Sequence, residues 1–295
     1  MNILLTGATG FLGSHLLKKL LQTSDHQITI LKRSTSNVFR ITNEINSLEF
    51  LDADTKNLKE LIESREKRFD CIIHCATDFG RKKTLYSEMI QSNVLLPLEL
   101  IEYCSKWNQL KCFINIDTLL DKNISAYSLS KHQFKEWLQK HSHSLCAINV
   151  GIEHFYGPGD DDSKFTSHVI RQLMNLAPKI ELTPGQQIRD FIYIDDVVNA
   201  LELIIRTAKI SIPSYQEFNI ATGESITIEN FVRLVQKICC NKTTELQFGA
   251  LPYRENELMA STIDTSKIVE LGWKPNFSLE AGLTKTIELE RKTLA

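Results

Sequence analysis

The sequence predicts an α/β fold: a doubly wound parallel sheet with a smaller, partly interleaved C-terminal lobe. Three observations predict it. Short, nearly continuous apolar runs alternate with amphipathic segments through the first half of the chain, as in a parallel sheet covered on both faces. A glycine-rich turn joins the first apolar run to the first amphipathic one. The alternation then breaks after Gly157-Pro158-Gly159.

The elements follow in order. Asn2 to Leu5 reads as a buried strand, and Phe11 to Gln22 as a helix with Leu12, Leu16, Leu17, Leu20 and Leu21 on one face. Gln27 to Leu31 is a second strand, Leu48 to Leu51 a third, and Leu58 to Glu66 a helix. Phe69 to His74 is a fourth strand. Leu85 to Trp107 reads as a long helix, bent near Pro97, because proline removes a helical donor. Cys112 to Ile116, a helix from Tyr127 to His141, and Leu145 to Val150 complete the first pattern. Beyond the break, Phe165 to Leu176 reads as a helix, Asp190 to Ile194 as a strand and Asp196 to Thr207 as a helix rejoining the first pattern. The predicted division is 1–157 plus 188–225 for the larger domain and 158–187 plus 226–295 for the lobe.

Composition excludes several classes. The chain has 295 residues, enough for one large domain or two sharing a core. A formal net charge of −2 offers no basic excess for nucleic acid. The cluster Arg65 to Arg68 is expected to coat a solvated helix face. No apolar run approaches the roughly 20 residues that span a bilayer. Thr6 and Gly7 interrupt the apolar start too early for a signal-peptide core, so a cytoplasmic location is expected, with no membrane partner. The seven cysteines include no CxxC pair, which suits reduced core thiols and no metal site. Asp160-Asp161-Asp162 is expected to be a solvated loop, since no second ligand cluster accompanies it.

The segment Thr6-Gly7-Ala8-Thr9-Gly10-Phe11-Leu12-Gly13 lies between the first strand and the first helix. Glycine suits a turn where a side chain would block φ > 0 or a close backbone approach. The helix start, with Phe11 and Leu12, offers backbone N–H groups and a positive dipole end to a pyrophosphate. Gly7, Gly10, Phe11, Leu12 and Gly13 are therefore candidates for a dinucleotide in a Rossmann-type fold. The second strand ends Leu31-Lys32-Arg33-Ser34, with no acid to receive a ribose 2′-hydroxyl. Lys32, Arg33 and Ser34 would instead hold a 2′-phosphate, which favours NADP(H), with NAD(H) as the alternative. The competing interpretation is an exposed basic loop.

Tyr127 and Lys131 stand at i and i+4 and share a helix face. An ammonium beside a phenol favours the phenolate, which makes the tyrosine a usable proton donor or acceptor. The spacing alone is a weak signal. Its position after a strand ending Ile114-Asn115-Ile116-Asp117-Thr118 strengthens it, because ligands bind at strand C-termini in open α/β sheets. Thr118 is placed to hydrogen-bond a substrate oxygen, unless it is only a surface residue ending a strand.

TGATGFLG at Thr6 to Gly13, YSLSK at Tyr127 to Lys131, YGPGD at Tyr156 to Asp160, IRDFIYIDDV at Ile188 to Val197 and LGWKP at Leu271 to Pro275 occur in this order. Together they resemble the extended short-chain dehydrogenases/reductases, which are nucleotide-sugar epimerases, dehydratases and reductases. IIHCATDFGRK at Ile72 to Lys82, IEHFYGPGDDDSKF at Ile152 to Phe165, GQQIRDFIYIDDVVNA at Gly185 to Ala200 and FGALPYRENELM at Phe248 to Met259 point within that family to reductases of 4-keto-6-deoxy sugars. The resemblance implies a catalytic group of Thr118, Tyr127 and Lys131. It implies that Asp54 bonds the adenine amino group, that Cys75, Ala76 and Thr77 line the cofactor, and that Asn93 supports the active-site backbone or a water. It assigns the substrate diphosphate to Arg189 and Arg254, as arginines suit phosphate, although each could be a surface ion pair. It also implies a substrate-binding C-terminal lobe and a homodimer built on the helices at 85–107 and 127–141.

The departures are specific. The family often has Ser-Ser or Ser-Thr where this chain has Asp117-Thr118. Gly151 stands in place of the usual arginine, and His154 in place of an asparagine. His154 could bond a sugar oxygen or be structural. Dehydratases carry Asp-Glu directly after the catalytic threonine; Leu119-Leu120 stands here and can transfer no proton. The expected activity is NADPH-dependent reduction of the C4 keto group of a nucleotide-diphosphate 4-keto-6-deoxy or 3,6-dideoxy hexose. The alternatives are a 4-epimerase that retains NAD and a non-catalytic dinucleotide-sensing protein on the same fold.

Overall fold

A computed structural model describes residues 1–23, 26–80, 85–106, 109–208, 212–255, 257–260 and 262–294. Trp107, Arg81, Lys82 and Asn256, which fall within segments quoted above, lie outside the described residues. In chain order the strands are β1 (Asn2–Thr6), β2 (Gln27–Lys32), β3 (Glu49–Asp52), β4 (Cys71–His74), β5 (Cys112–Thr118), β6 (Cys146–Ile152), β7 (His154–Tyr156), β8 (Lys179–Leu182), β9 (Ile188–Tyr193), β10 (Ser214–Ile220), β11 (Ser225–Thr227) and β12 (Glu245–Phe248). The helices are α1 (Phe11–Thr23), α2 (Leu58–Glu63), α3 (Tyr86–Ile90), α4 (Leu96–Ser105), α5 (Ala126–His141), α6 (Phe165–Met174), α7 (Ile194–Thr207), α8 (Ile228–Ile238), α9 (Ser266–Glu270) and α10 (Leu279–Leu294).

Met1–Ile152 and Val198–Asn219 form one compact unit; Glu153–Val197 and Ile220–Ala295 form the second. The first unit carries a seven-stranded sheet in the order β10-β6-β5-β4-β1-β2-β3. The pairings from β3 through β6 are parallel. The chain winds outward from β1 to β3, then returns to place β4 on the other side of β1. This reversal creates the switch point where an open α/β sheet receives a ligand. The strands are nearly uniformly apolar because both faces are covered: Ile3, Leu4, Leu5, Ile72 and Ile73 are completely buried. Leu4, Ile72, Phe113, Phe134 and Leu138 form the centre of one core cluster, with α5 contributing the last two.

Polar residues interrupt this apolar pattern at one level of the sheet. Thr6 is in register with His74, His74 with Asn115, and Asn115 with Asn149. All four are buried. Their strands end just beyond this row, so the row underlies the C-terminal edge of the sheet.

Two helices depart from expectation. α2 stops at Glu63, short of Glu66, where the Arg68 guanidinium donates to the Ile62 and Glu63 carbonyls at 3.1 Å. Arg65 pairs with Glu49 and lies over Phe69. The basic cluster therefore belongs to the turn after α2, not to a solvated helix face. The long helix expected from Leu85 is divided: a π turn, Gln91–Leu95, joins α3 to α4. Pro97 has no N–H to donate to the Asn93 carbonyl, and the backbone widens at that point.

In the second unit β9 lies between β11 and β7, and β12 pairs in parallel with β8. Residues 188–197 therefore group with the second unit, and the division falls at Glu153 instead of Gly157. The reason is pairing: β9 bonds β7 and β11 and takes no place in the large sheet. Asp190 on β9 accepts from the Thr222 amide and hydroxyl and from the Gly223 amide. Asp196 accepts from the Asn276 and Phe277 amides, and its carbonyl takes the Trp273 indole N–H. These bonds tie the IRDFIYIDDV segment to LGWKP. The acidic loop is only partly solvated. Asp161 and Asp162 are exposed, whereas Asp160 is buried in an ion pair with Lys164 at 2.9 Å. Among the described residues no cluster of three metal-ligating side chains occurs, and no helix is long and apolar enough to cross a membrane.

Candidate active site

The glycine loop lies at the switch point. Gly7 has φ +71°, and a Cβ there would meet the Ala76 nitrogen at 2.5 Å. Both the conformation and the approach of the segment after β4 require glycine. A Cβ on Gly13 would strike the Gly7 carbonyl, so α1 can begin directly under the turn only with glycine at that position. Gly10 donates to the Gly7 carbonyl at 2.9 Å and closes the turn. Phe11 and Leu12 open α1, whose first-turn amides cannot be satisfied within the helix. This cradle fits a dinucleotide pyrophosphate, and a side chain at Gly7 or Gly13 would fill it.

The second-strand loop is less open than its sequence suggests. Lys32 is paired with Asp52 at 2.5 Å. The Ser34 amide and hydroxyl both donate to Asp54, at 2.7 and 2.8 Å. These bonds hold the Asp54 carboxyl below its ordinary range. Arg33 is exposed, and among the described residues its guanidinium makes no hydrogen bond or ion pair.

After β4, Cys75, Ala76 and Thr77 run along the opposite side of the glycine turn. The Ala76 amide donates to Thr6 Oγ1, which also bonds His74 Nδ1 at 2.9 Å. His74 is completely buried, and that burial drives its pKa well below the ordinary histidine value. Burial likewise pushes the Cys75 thiol up to about 12. Asn93, in the π turn, is fully buried and saturates its amide. Its oxygen accepts from the Asp78 amide (2.7 Å) and the Thr77 hydroxyl (3.3 Å); its nitrogen donates to the Asp78 carbonyl (2.8 Å) and Ser130 Oγ (2.9 Å). Asn93 thereby couples the cofactor-side loop to the turn of α5 between Tyr127 and Lys131.

Ser125 caps α5 in a reciprocal box with Ser128, which orients the first turn. Tyr127 is partly buried, 5.0 Å from the Phe79 ring between centroids. Lys131, one turn on, is buried to 1% exposure, and its Nζ lies 3.5 Å from Asn115 Oδ1. Burial lowers its pKa, opposed by the negative charge of Asp117. Thr118 ends β5, with its amide donating to Asp117 Oδ1 (2.8 Å) and its hydroxyl accepting from the Leu120 amide (3.2 Å). Thr118, Tyr127, Lys131 and Asn93 thus all belong to the first unit. Leu119 lies against Gly151, where a Cβ would collide with its Cδ2 at 2.5 Å. The two departures from the family pattern compensate each other: Gly151 provides the space that Leu119 fills.

Of the substrate candidates, Thr118 is in the first unit, and Arg189, Arg254 and His154 belong to the second. Arg189 is held by Glu257 at 2.6 Å and donates to its neighbour's carbonyl. Arg254 is exposed, and among the described residues its guanidinium has no ion pair. His154 bonds Glu153 at 2.7 Å and meets the Phe191 ring edge-on. Sequence reasoning did not identify two buried polar groups at this level of the sheet, Thr6 with His74 and Asn115 with Asn149 and Asp117. The available signal was a polar residue inside each of four buried strands, since such groups must be hydrogen-bonded.

The NAD dependent epimerase/dehydratase family matches residues 3–221. The chain is 33% identical to CDP-abequose synthase of Salmonella muenchen over 98% of this chain and 97% of that one. It is 30% identical to CDP-abequose synthase of Salmonella typhimurium over 97% of each. A UDP-glucose 4-epimerase from Thermotoga maritima, solved with UDP-glucose, shares the fold with a TM-score of 0.84 at 24% identity over the whole of both chains. On the family match across most of its length and the full-length similarity to these relatives, the chain belongs to the NAD(P)-dependent epimerase/dehydratase family, the extended short-chain dehydrogenases/reductases.

Proposed function

We propose that this protein is an NADPH-dependent reductase of the C4 keto group of a nucleotide-diphosphate 4-keto-6-deoxy or 3,6-dideoxy hexose. One observation carries the choice among family reactions. Leu119 and Leu120 occupy the positions of the dehydratase acid pair, and Leu119 is packed into the space left by Gly151. No carboxyl is available there to remove water from the sugar. The full-length similarity to two CDP-abequose synthases supports a deoxysugar substrate.

When bound, the dinucleotide supplies the hydride. Thr118 would hold the C4 oxygen by its hydroxyl. Tyr127 would deliver the proton that completes the alcohol, and Lys131 would stabilise the phenolate left behind. Arg189 and Arg254 are the candidates for the substrate diphosphate, and His154 for a sugar hydroxyl. The similarity to deoxysugar enzymes suggests a role in building a surface polysaccharide such as an O-antigen.

The NADPH preference rests on Arg33, since Lys32 and Ser34 already have acidic partners. The experiment is an assay of CDP-, dTDP- and GDP-linked 4-keto-6-deoxy sugars with NADPH deuterated at the transferable position. The expected result is one NADPH consumed per sugar, with deuterium at C4. Conversion without net NADPH loss, or an unlabelled product, would indicate a 4-epimerase.

A further inference from the structure

We infer that Asp117 is a positioning residue of the catalytic group: through the side-chain amides of Asn149 and Asn115 it supplies the counter-charge that keeps Lys131 protonated. The catalytic consequence rests on the reductase reading above, whereas the charge coupling does not.

The geometry is a single chain of bonds. Lys131 Nζ lies 3.5 Å from Asn115 Oδ1, and Asn115 Nδ2 donates to Asn149 Oδ1 at 2.7 Å. Asn149 Nδ2 donates to Asp117 Oδ2 at 2.9 Å, and Asp117 Oδ1 accepts the Thr118 amide at 2.8 Å. The side chains of the chain are buried from Lys131 to Asp117. Its two ends dictate its direction. An ammonium only donates and a carboxylate only accepts, so each amide must present oxygen toward Lys131 and nitrogen toward Asp117. The amide dipoles are thereby aligned between a buried cation and a buried anion, where the low dielectric strengthens the coupling.

A buried ammonium without an anion tends to lose its proton. The other groups around this pair cannot replace Asp117. From the end of β4, His74 is kept neutral by burial and Cys75 is kept a thiol. Tyr127 precedes Lys131 by one turn of α5. On the Asp117 side, β10 presents Tyr215, whose pKa burial raises, and Glu217, which is paired with Lys135. The serine often found in the family at this position could hydrogen-bond but could not supply the charge. The same carboxylate accepts the Thr118 amide, so one residue anchors the strand end that bears Thr118 and balances the lysine.

The test reads Lys131 directly. Full-length protein carrying [ε-¹³C]lysine is titrated by NMR, with the Lys131 signal assigned by its absence in Lys131→Met. Loss of the Asp117 charge destabilises the ammonium, so the titration in Asp117→Asn should move to lower pH by about one unit or more. Asp117→Ser removes the same charge with a smaller side chain and serves if Asp117→Asn does not fold. Asn149→Leu, which breaks the relay but keeps the carboxylate, should shift it in the same direction by less. A Lys131 titration unmoved by loss of Asp117 overturns the inference. A shifted titration accompanied by an alkaline limb of kcat that moves to lower pH supports it. A shifted titration, where the unaltered protein itself oxidises no NADPH with any of the 4-keto-6-deoxy sugar nucleotides, also supports it, and overturns the reductase reading instead.

Discussion

At the scale of single residues, the proposed mechanism assigns the proton to Tyr127 and its charge balance to Lys131. Tyr127 stands at the first turn of α5 with Lys131 buried one turn beyond. Tyr127→Phe retains the ring and removes the proton, so kcat should fall by about 10²-fold or more while the Kd for NADPH stays nearly constant. A variant that kept most of its activity would exclude the mechanism. Arg33 carries a separate prediction. Lys32 is paired with Asp52 and Ser34 with Asp54, which leaves Arg33 as the charge for a 2′-phosphate. NADPH should bind more tightly than NADH, and Arg33→Ala should narrow that gap by removing a charge-assisted contact. Equal dissociation constants for the two cofactors in the unaltered protein would remove the basis for the preference.

At the scale of elements, the π turn at 91–95 joins the loop after β4 to α5 through Asn93. Pro97 removes a helical donor, the helix widens, and Asn93 becomes the link between the loop after β4 and α5. Asn93→Ala would empty a fully buried position and leave the half-buried Asp78 amide and carbonyl without these bonds. Thermal or denaturant unfolding should show a loss of about 2 kcal/mol or more, and kcat should fall because the turn bearing Tyr127 loses its tether. A variant of unaltered stability would show that the Asn93 bonds are replaceable. The helix itself was legible in the sequence from its apolar period and from Pro97. The π turn was not, because the choice between a kink and a widened turn depends on what Asn93 can bond elsewhere. Asp54 shows the same limit: the family resemblance implies an adenine contact for it, and its bonds from the Ser34 amide and hydroxyl became visible only in the fold.

At the scale of the whole molecule, apolar side chains remain exposed on the helices expected to build a dimer. α3 and the π turn expose Tyr86, Ile90 and Leu95, and α5 exposes Leu129 and Trp137. Exposed apolar side chains grouped on neighbouring helices mark an interaction surface. We propose a homodimer with two-fold symmetry, in which each helix pair meets its copy. Light scattering at micromolar concentration should give twice the chain mass for the unaltered protein, and Trp137→Glu should shift it toward the monomer. A monomer in both cases would refute the assembly.

The sequence by itself determined the doubly wound sheet, the glycine cradle and the placement of Tyr127 and Lys131 on one helix face. Each is encoded locally: apolar runs too short for helices, glycines where a Cβ cannot fit, and two residues separated by one helical turn. Only the tertiary structure decided that β9 belongs with β7 and β11, that Leu119 fills the space at Gly151, and that Asp117 reaches Lys131 through two asparagines. These features join residues distant in the chain. Sequence spacing carries no information about them, because buried polar groups meet partners distant in the chain only once strands and helices are packed.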